Sequence, residues 1–447
     1  MKASAMLTAR RPRIRQEDRL AASLPAPCCP EYVRLQRSNG PFTLRFGPGD
    51  VVMIRHFLVA AGVLGAWYGA MAAQAAEPGA VRWEYRSSQR GDLPAPGPGK
   101  QQTALLAFDI NGDGRTDFVI AERTESPSVT GWLSSGKDGW TRLAIDRQRL
   151  NIEAGGAAAD IDGDGDLDII FTGDYKSDGV WWWENPAPHF DPDKPWIRRT
   201  IKSGDGASSQ HDCVVGDFDG DGRLDLVWWS KAAKSLFLAP FPDKPREAAS
   251  WPYRAIFRCD AGKPHEGLAA ADIDGDGLAD IAGAGMWWKY CGNGRFEPEL
   301  IAPRPFVRMA AGQIIPGGRC EVVISPGDED GPIDWYQWDG KTWIAHRLLD
   351  QVIHGHSLQL ADIDGNGALD VFSGEMGNPG AGPNCKTRIF WGDGQGRFTE
   401  QVIDVGKAHH ESRLADVDGD GLLDIVGKPY SFGTPVIHLW LQRREAR

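Results

Sequence analysis

The sequence predicts an all-β fold, a seven-bladed β-propeller of four-stranded blades with an acidic loop between the first two strands of each blade. Three observations carry this expectation. A nine-residue motif, Asp-x-Asp/Asn-Gly-Asp/Asn-Gly-x-x-Asp, occurs six times, starting at Asp109, Asp160, Asp217, Asp272, Asp362 and Asp416. The starts lie 51, 57, 55, 90 and 54 residues apart, so the chain is an array of similar units. Each motif runs directly into an apolar stretch such as Asp168-Ile169-Ile170-Phe171, which reads as a strand.

Within a unit the elements follow in one order. An apolar strand A precedes the motif and an apolar strand B follows it. A tryptophan-bearing strand C comes next, as in Val180-Trp181-Trp182-Trp183 and Met286-Trp287-Trp288. A turn then leads to strand D, which opens on an aromatic: Trp140, Trp196, Trp251, Phe296, Trp343 or Phe398. Four strands per unit make a propeller blade. The 90-residue gap hides a seventh unit that has lost its motif, with Gln313, Ile315, Gly317 and Glu321 at the four key positions. The last unit ends after a third strand, Val436 to Leu441, and Val81-Arg82-Trp83-Glu84-Tyr85 looks like its missing strand D. A single propeller over residues 81–447 is expected, closed by a strand at about 81–88.

The motif has the chemistry of a calcium loop. Oxygens recur at positions 1, 3, 5 and 9, and a hard divalent cation wants that density of oxygen. Glycines at positions 4 and 6 permit the tight turn that converges them. The candidate ligands are Asp109, Asn111, Asp113 and Asp117 in blade 1, and Asp160, Asp162, Asp164 and Asp168 in blade 2. Blade 3 offers Asp217, Asp219, Asp221 and Asp225, and blade 4 offers Asp272, Asp274, Asp276 and Asp280. Blade 6 offers Asp362, Asp364, Asn366 and Asp370, and blade 7 Asp416, Asp418, Asp420 and Asp424. Position 12 is Ile120, Phe171, Trp228, Gly283, Ser373 or Gly427, never an acid, which excludes an EF-hand. Up to six calcium ions are expected, and none in blade 5.

Residues 53–75 read as a secretory signal peptide: Met53-Ile54-Arg55-His56, an apolar run from Phe57 to Met71, then Ala73-Gln74-Ala75. Residues 1–52, Arg- and Pro-rich without periodicity, read as an over-extension of the reading frame. The expected address is periplasmic or extracellular, with no membrane span in the mature chain, because the apolar run is short for a bilayer. Without this prefix the formal charge changes from −12 to −18, and the acidity belongs to the loops. No region is basic enough for a nucleic-acid partner. Cys213, Cys259, Cys291, Cys320 and Cys385 permit one or two disulfides and leave at least one free thiol.

The start of strand A opens onto the channel mouth, opposite the acidic loops. Six residues before the first aspartate stand His211, Glu266, His356 and His410 in blades 3, 4, 6 and 7, flanked by Asp212, His265, His354, His409 and Glu411. Blades 1 and 2 have Thr103 and Ala154 there, so the fold does not require histidine. Blade 5 supplies Val307 with Arg308 beside it. Six of the chain's ten histidines lie in these strand starts. Three readings compete: strand-edge packing, a zinc or manganese site of His211, His356 and His410, and acid–base catalysis. On the same face the B–C loops carry Arg123, Tyr175, Lys176, Lys231, Glu375, Lys428 and Tyr430, and the longest loop, Gly374 to Lys386, suits a flap. Most tryptophans read as packing between blades, with Trp229 and Trp288 the candidates for exposure.

These repeats resemble the FG-GAP/VCBS family over roughly residues 81–447, as in Asp217-Phe218-Asp219-Gly220-Asp221-Gly222-Arg223-Leu224-Asp225. The resemblance implies a seven-bladed propeller like the integrin α-subunit head. Members include lyases acting on rhamnogalacturonan, ulvan and rhamnose–glucuronate polymers, and a dehydratase of aldos-2-uloses whose cupin domains this chain lacks. Others are adhesins. The resemblance therefore implies a carbohydrate ligand or substrate, and the leading expectation is an exported carbon–oxygen lyase or dehydratase. His356 or His410 would be the base, Arg308 or a metal the charge stabiliser and Tyr430 the acid, with His211, His265 and Glu266 completing the site. The alternative is a non-catalytic module that binds a glycan or protein through the same funnel. No run of sequence specifies an oligomeric state.

Overall fold

Alternation of side chains along each strand decides how this chain packs. In strand B of blade 1, Asp117–Glu122, Val119 and Ala121 face blade 2 while Phe118 and Ile120 face blade 7. A sheet apolar on both faces must be covered on both, and the next blade on each side does so. The structure, a computed structural model, describes residues 81–136, 139–259 and 265–444, all within one compact unit, Ala70–Arg447. The regions read as signal peptide and frame over-extension lie outside the described residues.

Seven antiparallel sheets of four strands form the blades. Their first strands are Gln102–Phe108, Ile152–Ala159, Gln210–Gly216, Ala269–Ala271, Val307–Gly312, Ser357–Ala361 and Arg413–Ala415. Each touches the first strand of the next blade, and that of blade 7 touches that of blade 1, so the ring is closed. The core is divided among seven apolar clusters, one between each pair of neighbouring blades. Blade 7 takes its fourth strand from Val81–Ser87, which pairs antiparallel with His438–Arg444 from Val81↔Arg444 to Ser87↔His438.

The structure moves some expected elements. The third strand of blade 7 is His438–Arg444 rather than Val436 to Leu441, because Val436 and Ile437 are drawn into bonds with Gln102 and Ser88. Strand D of blade 3 begins at Arg254, not at Trp251, whose ring turns in against Phe241, 4.9 Å between centroids. Strand D of blade 2 begins one residue after Trp196. Trp229 and Trp288 are buried in one aromatic cluster with Phe257 rather than exposed. Cys213, Cys320 and Cys385 are free thiols and take no part in the disulfides expected.

The motif's ninth residue has a structural task of its own. In blade 1, Asp117 accepts the Ile110 N–H at 3.0 Å and the strand C Ser134 N–H at 2.6 Å. Asp168, Asp370 and Asp424 make the same pair of bonds in blades 2, 6 and 7. In blade 5, Glu321 accepts from Ile314 and Ile315 at 2.9 and 3.1 Å. There the Gln313 amide nitrogen donates to Ile315 O at 2.8 Å and to Gly317 O at 3.2 Å, so a neutral donor fills a turn that elsewhere is ringed by carboxylates.

Removing residues 81–87 should lower the melting temperature far more than shortening the Gly377–Ala381 loop by two residues. The deletion uncovers Trp440 and its cluster, and each large apolar side chain returned to water costs about 1.5–3 kcal/mol. Equal melting temperatures in differential scanning calorimetry would mean that this strand does not close the ring.

Candidate functional site

At the mouth of the channel the strand starts bend before they enter the sheets. The residue after the singled-out position adopts positive φ in four blades: Gly155 (+82°), Asp212 (+46°), Gly267 (+83°) and Glu411 (+56°). Glycine takes this conformation freely, whereas Asp and Glu pay roughly 1–3 kcal/mol each. Blades 2 and 3 also approach closely here, and a Cβ on Gly155 would lie 2.4 Å from Asp212 Cα. The two strained acids therefore have a role that glycine cannot fill.

That role is to hold Arg308. Its guanidinium is buried, donates to Asp212 and lies 3.3 Å from Glu411 Oε1. One NH2 group sits 2.7 and 3.1 Å from the two ring nitrogens of His356. Burial alone would push both carboxyls up, but Arg308, with His211 beside Asp212 and Arg413 beside Glu411, holds both well below the usual range. Arg308, expected to stabilise charge on a substrate, has its own charge balanced by these two carboxylates.

Above this network the imidazoles separate by environment. His356 and His410 stack with ring centroids 4.2 Å apart. Burial, then repulsion from Lys428 and His356, puts the pKa of His410 well below its ordinary value. Its Nδ1 lies 3.1 Å from the Lys428 ammonium nitrogen, which donates to Gln102 O at 2.6 Å. Burial likewise drives Lys428 well below the lysine range. Tyr430 sits 5.0 Å from the His410 ring, and its hydroxyl accepts from Arg123 at 2.7 Å. His211 behaves oppositely: burial and Lys231 lower its pKa, but Asp212 and Glu266 outweigh them and leave it raised.

His409 does not join this group. It is buried between blades 6 and 7, stacked on Trp440 at 5.1 Å and bonded to Thr387 and Ser412. His265 packs against Trp229 and Phe257 at 5.3 and 6.0 Å. Glu375 clamps the long blade 6 loop through the Ile353 and Lys386 amides and pairs with Arg388. Three acids that sequence reasoning passed over do reach the mouth. Glu153 and Asp174 pair with Arg123, and Asp328 lies 3.5 Å from His356 Nε2. The acidic run Asp328-Glu329-Asp330 in a B–C loop was the available signal. Below, a cavity of about 280 Å³ runs along the first strands, with Asp212, Arg308, His356 and Glu411 at its mouth end.

The opposite end of each blade holds the acidic loops. The first aspartate is occupied by backbone: Asp160 accepts from Gly163 at 2.8 Å and from Gly165 at 3.1 Å. In four loops the third position is not, and Oδ1 of Asp162, Asp219, Asp274 and Asp418 is buried without a hydrogen-bond partner, whereas Asn111 and Asp364 each accept a backbone N–H at 3.1 Å. Oxygens of Asp160, Asp162 and Asp164 lie within 4.8 Å of one another, as do those of Asp217, Asp219 and Asp225. Arg246, Lys289 and Arg443 lean onto three of these loops. Orphaned carboxylate oxygens converging at that spacing fit a hard divalent cation.

Residues 109–171 and 160–228 match the family model of the FG-GAP-like repeat. Over residues 109–228 the chain carries FG-GAP-like repeats, set in a seven-bladed propeller. No curated protein matches its sequence. Among solved structures, this propeller is similar to the BP39L lectin from Burkholderia pseudomallei, at 14% identity and TM-score 0.49, covering 76% of this chain and 96% of that one. It is also similar to the V. cholerae biofilm matrix protein Bap1, at 11% identity and TM-score 0.44, covering 76% and 88%. A further match is BBS1N in complex with ARL6DN, at 11% identity and TM-score 0.49, covering 82% and 98%.

Replacing Arg308 with Met should destabilise the propeller by roughly 3–5 kcal/mol in urea denaturation, the usual cost of stranding buried charge. Adding Asp212→Asn and Glu411→Gln to that variant should recover most of the loss. An Arg308→Met protein as stable as the parent would show that the network carries no charge balance.

Proposed function

We propose that the channel mouth takes an acidic carbohydrate and eliminates a leaving group from it, as a carbon–oxygen lyase or dehydratase does. The observation that carries this is the buried pair His356–His410 beside Lys428 and Tyr430. An imidazole kept neutral at physiological pH can take the proton from the carbon next to a carboxylate or ketone. The electron pair of the broken C–H bond forms the new double bond as the β C–O bond breaks, and the leaving oxygen takes a proton from Tyr430, whose pKa burial raises. Tyr175, exposed, with the Lys176 ammonium 5.1 Å from its ring, offers a face for a sugar and a cation for its carboxylate.

Screening uronate polysaccharides and keto-sugars should yield a product with a new ultraviolet band. His410→Gln should cut turnover by about a hundredfold or more while the melting temperature stays close to the parent's. Full turnover in that variant removes His410 as the base. A binding module is the second reading, favoured by how deeply the imidazoles lie, at 2% and 4% exposure. It expects no product and weaker glycan retention in the same variant.

The six acidic loops, in this reading, hold calcium and stiffen the blades. Without a cation the ninth-position acids are strained by burial first and by neighbouring acids second. Asp117 and Asp225 are pushed up to about 6, Asp280, Asp370 and Asp424 to about 7, and Asp168 to about 8. A raised carboxyl stabilises the fold below its unfolded value, near 4, and loses that contribution as pH rises through the folded value. In chelator, the melting temperature should therefore fall between pH 5 and pH 8, and calcium should restore it most at pH 8. Binding of two ions or fewer per chain in calorimetry would overturn the calcium reading.

Export is proposed on residues 53–75 alone, which lie outside the described residues. Among the described residues no helix is long and apolar enough to cross a membrane.

A further inference from the structure

The mouth contains a second constellation, which shares His356 with the proposed acid–base pair. Ligand atoms of Glu266, Asp328 and His356 lie within 4.8 Å of one another, and they come from three consecutive blades. Glu266 is 1% exposed, and the Lys231 ammonium occupies its Oε1. Its Oε2 is buried with no hydrogen-bond partner. A buried carboxylate oxygen left bare is costly, and it faces two other donors and His211 Nε2, 3.9 Å away.

We propose that Glu266, Asp328 and His356, with His211 as a fourth ligand, hold a transition-metal ion at the channel mouth, separate from the acidic loops. Two imidazole nitrogens with two carboxylate oxygens suit zinc, manganese or cobalt, whereas calcium wants oxygen alone. The outer partners have the arrangement such a site requires. His211 Nδ1 bonds Asp212 Oδ2 at 2.8 Å, which leaves Nε2 to face Glu266. His356 Nδ1 lies 3.5 Å from Glu411 Oε1, and an ion bound at His356 Nε2 would displace the Arg308 NH2 group that now sits 2.7 Å from that nitrogen. The same Asp212 and Glu411 hold Arg308, so one network orients two ligands and cancels the charge beneath them. Asp328 stands on the blade 5 B–C loop with its side chain 44% exposed, which gives an ion a way in.

The four ligand positions sit on blades 3, 4, 5 and 6, whose relative placement the ring fixes. The ion would lie beside His410 rather than replace it. Its use in catalysis rests on the carbohydrate reading above; its presence does not.

The test uses the full chain, stripped with a chelator and reloaded with excess calcium, then titrated with Mn2+ or Co2+. One Mn2+ per chain should be retained after desalting, counted by elemental analysis, with a bound-manganese electron paramagnetic resonance signal. Cobalt should give visible bands of a low-coordinate nitrogen–oxygen site. Asp328→Asn, on an exposed loop, should weaken binding at least tenfold with an unchanged melting temperature. Glu266→Gln should abolish it, and calcium stoichiometry should not move in either variant. No manganese beyond background in calcium-saturated protein, or manganese binding indifferent to both substitutions, overturns the proposal. Metal bound without an eliminated product defeats only the lyase reading, and product from metal-free protein defeats only the metal's part in catalysis.

Discussion

Closing seven sheets into a ring forces the starts of their first strands toward one axis, and in this chain those starts are charged. Everything at the mouth depends on how that charge is balanced. Arg308 is the keystone: a single buried guanidinium between Asp212 and Glu411, contributed by blade 5 to acids on blades 3 and 7. An unpaired carboxylate at that depth would be expelled or protonated. Because Arg308 is committed, the histidines around it can differ: the acids beside His211 raise its pKa, while burial and then nearby cations lower that of His410.

The network also explains an otherwise wasteful choice of backbone. Blades 2 and 4 place glycine where positive φ is needed, while blades 3 and 7 place Asp212 and Glu411 in the same conformation. Local strain at those two points aims carboxylates across the axis at a height that a regular strand would not offer. Strain of this kind persists where the surrounding structure fixes it, and here two neighbouring blades and an ion pair do so.

Much of this was legible in the sequence. Periodic acidic loops and their spacing gave the number of blades, and the odd fourth strand could be found by its Trp-Glu-Tyr pattern at the far end of the chain. The histidines at the mouth followed from counting back along a repeated unit. What escaped the count was anything set by one blade leaning on another. The ion pairs of Arg308 could not be read because its partners sit 96 and 103 residues away. His409 was grouped with the mouth because it adjoins His410, yet its ring lies in the core against Trp440 and Thr387, and sequence adjacency hides that difference. Asp328 was passed over because its loop belongs to the one blade without a motif, where no repeat drew attention to it.

That blade has a further meaning. Its turn is sealed by the amide of Gln313 rather than by a ring of acids, so its geometry is written wholly in the polypeptide. Arg308 and Asp328, the two residues that most define the mouth, ride on this same blade. The part of the ring that positions the chemistry is thus the part whose turn owes nothing to the ionic composition of its surroundings.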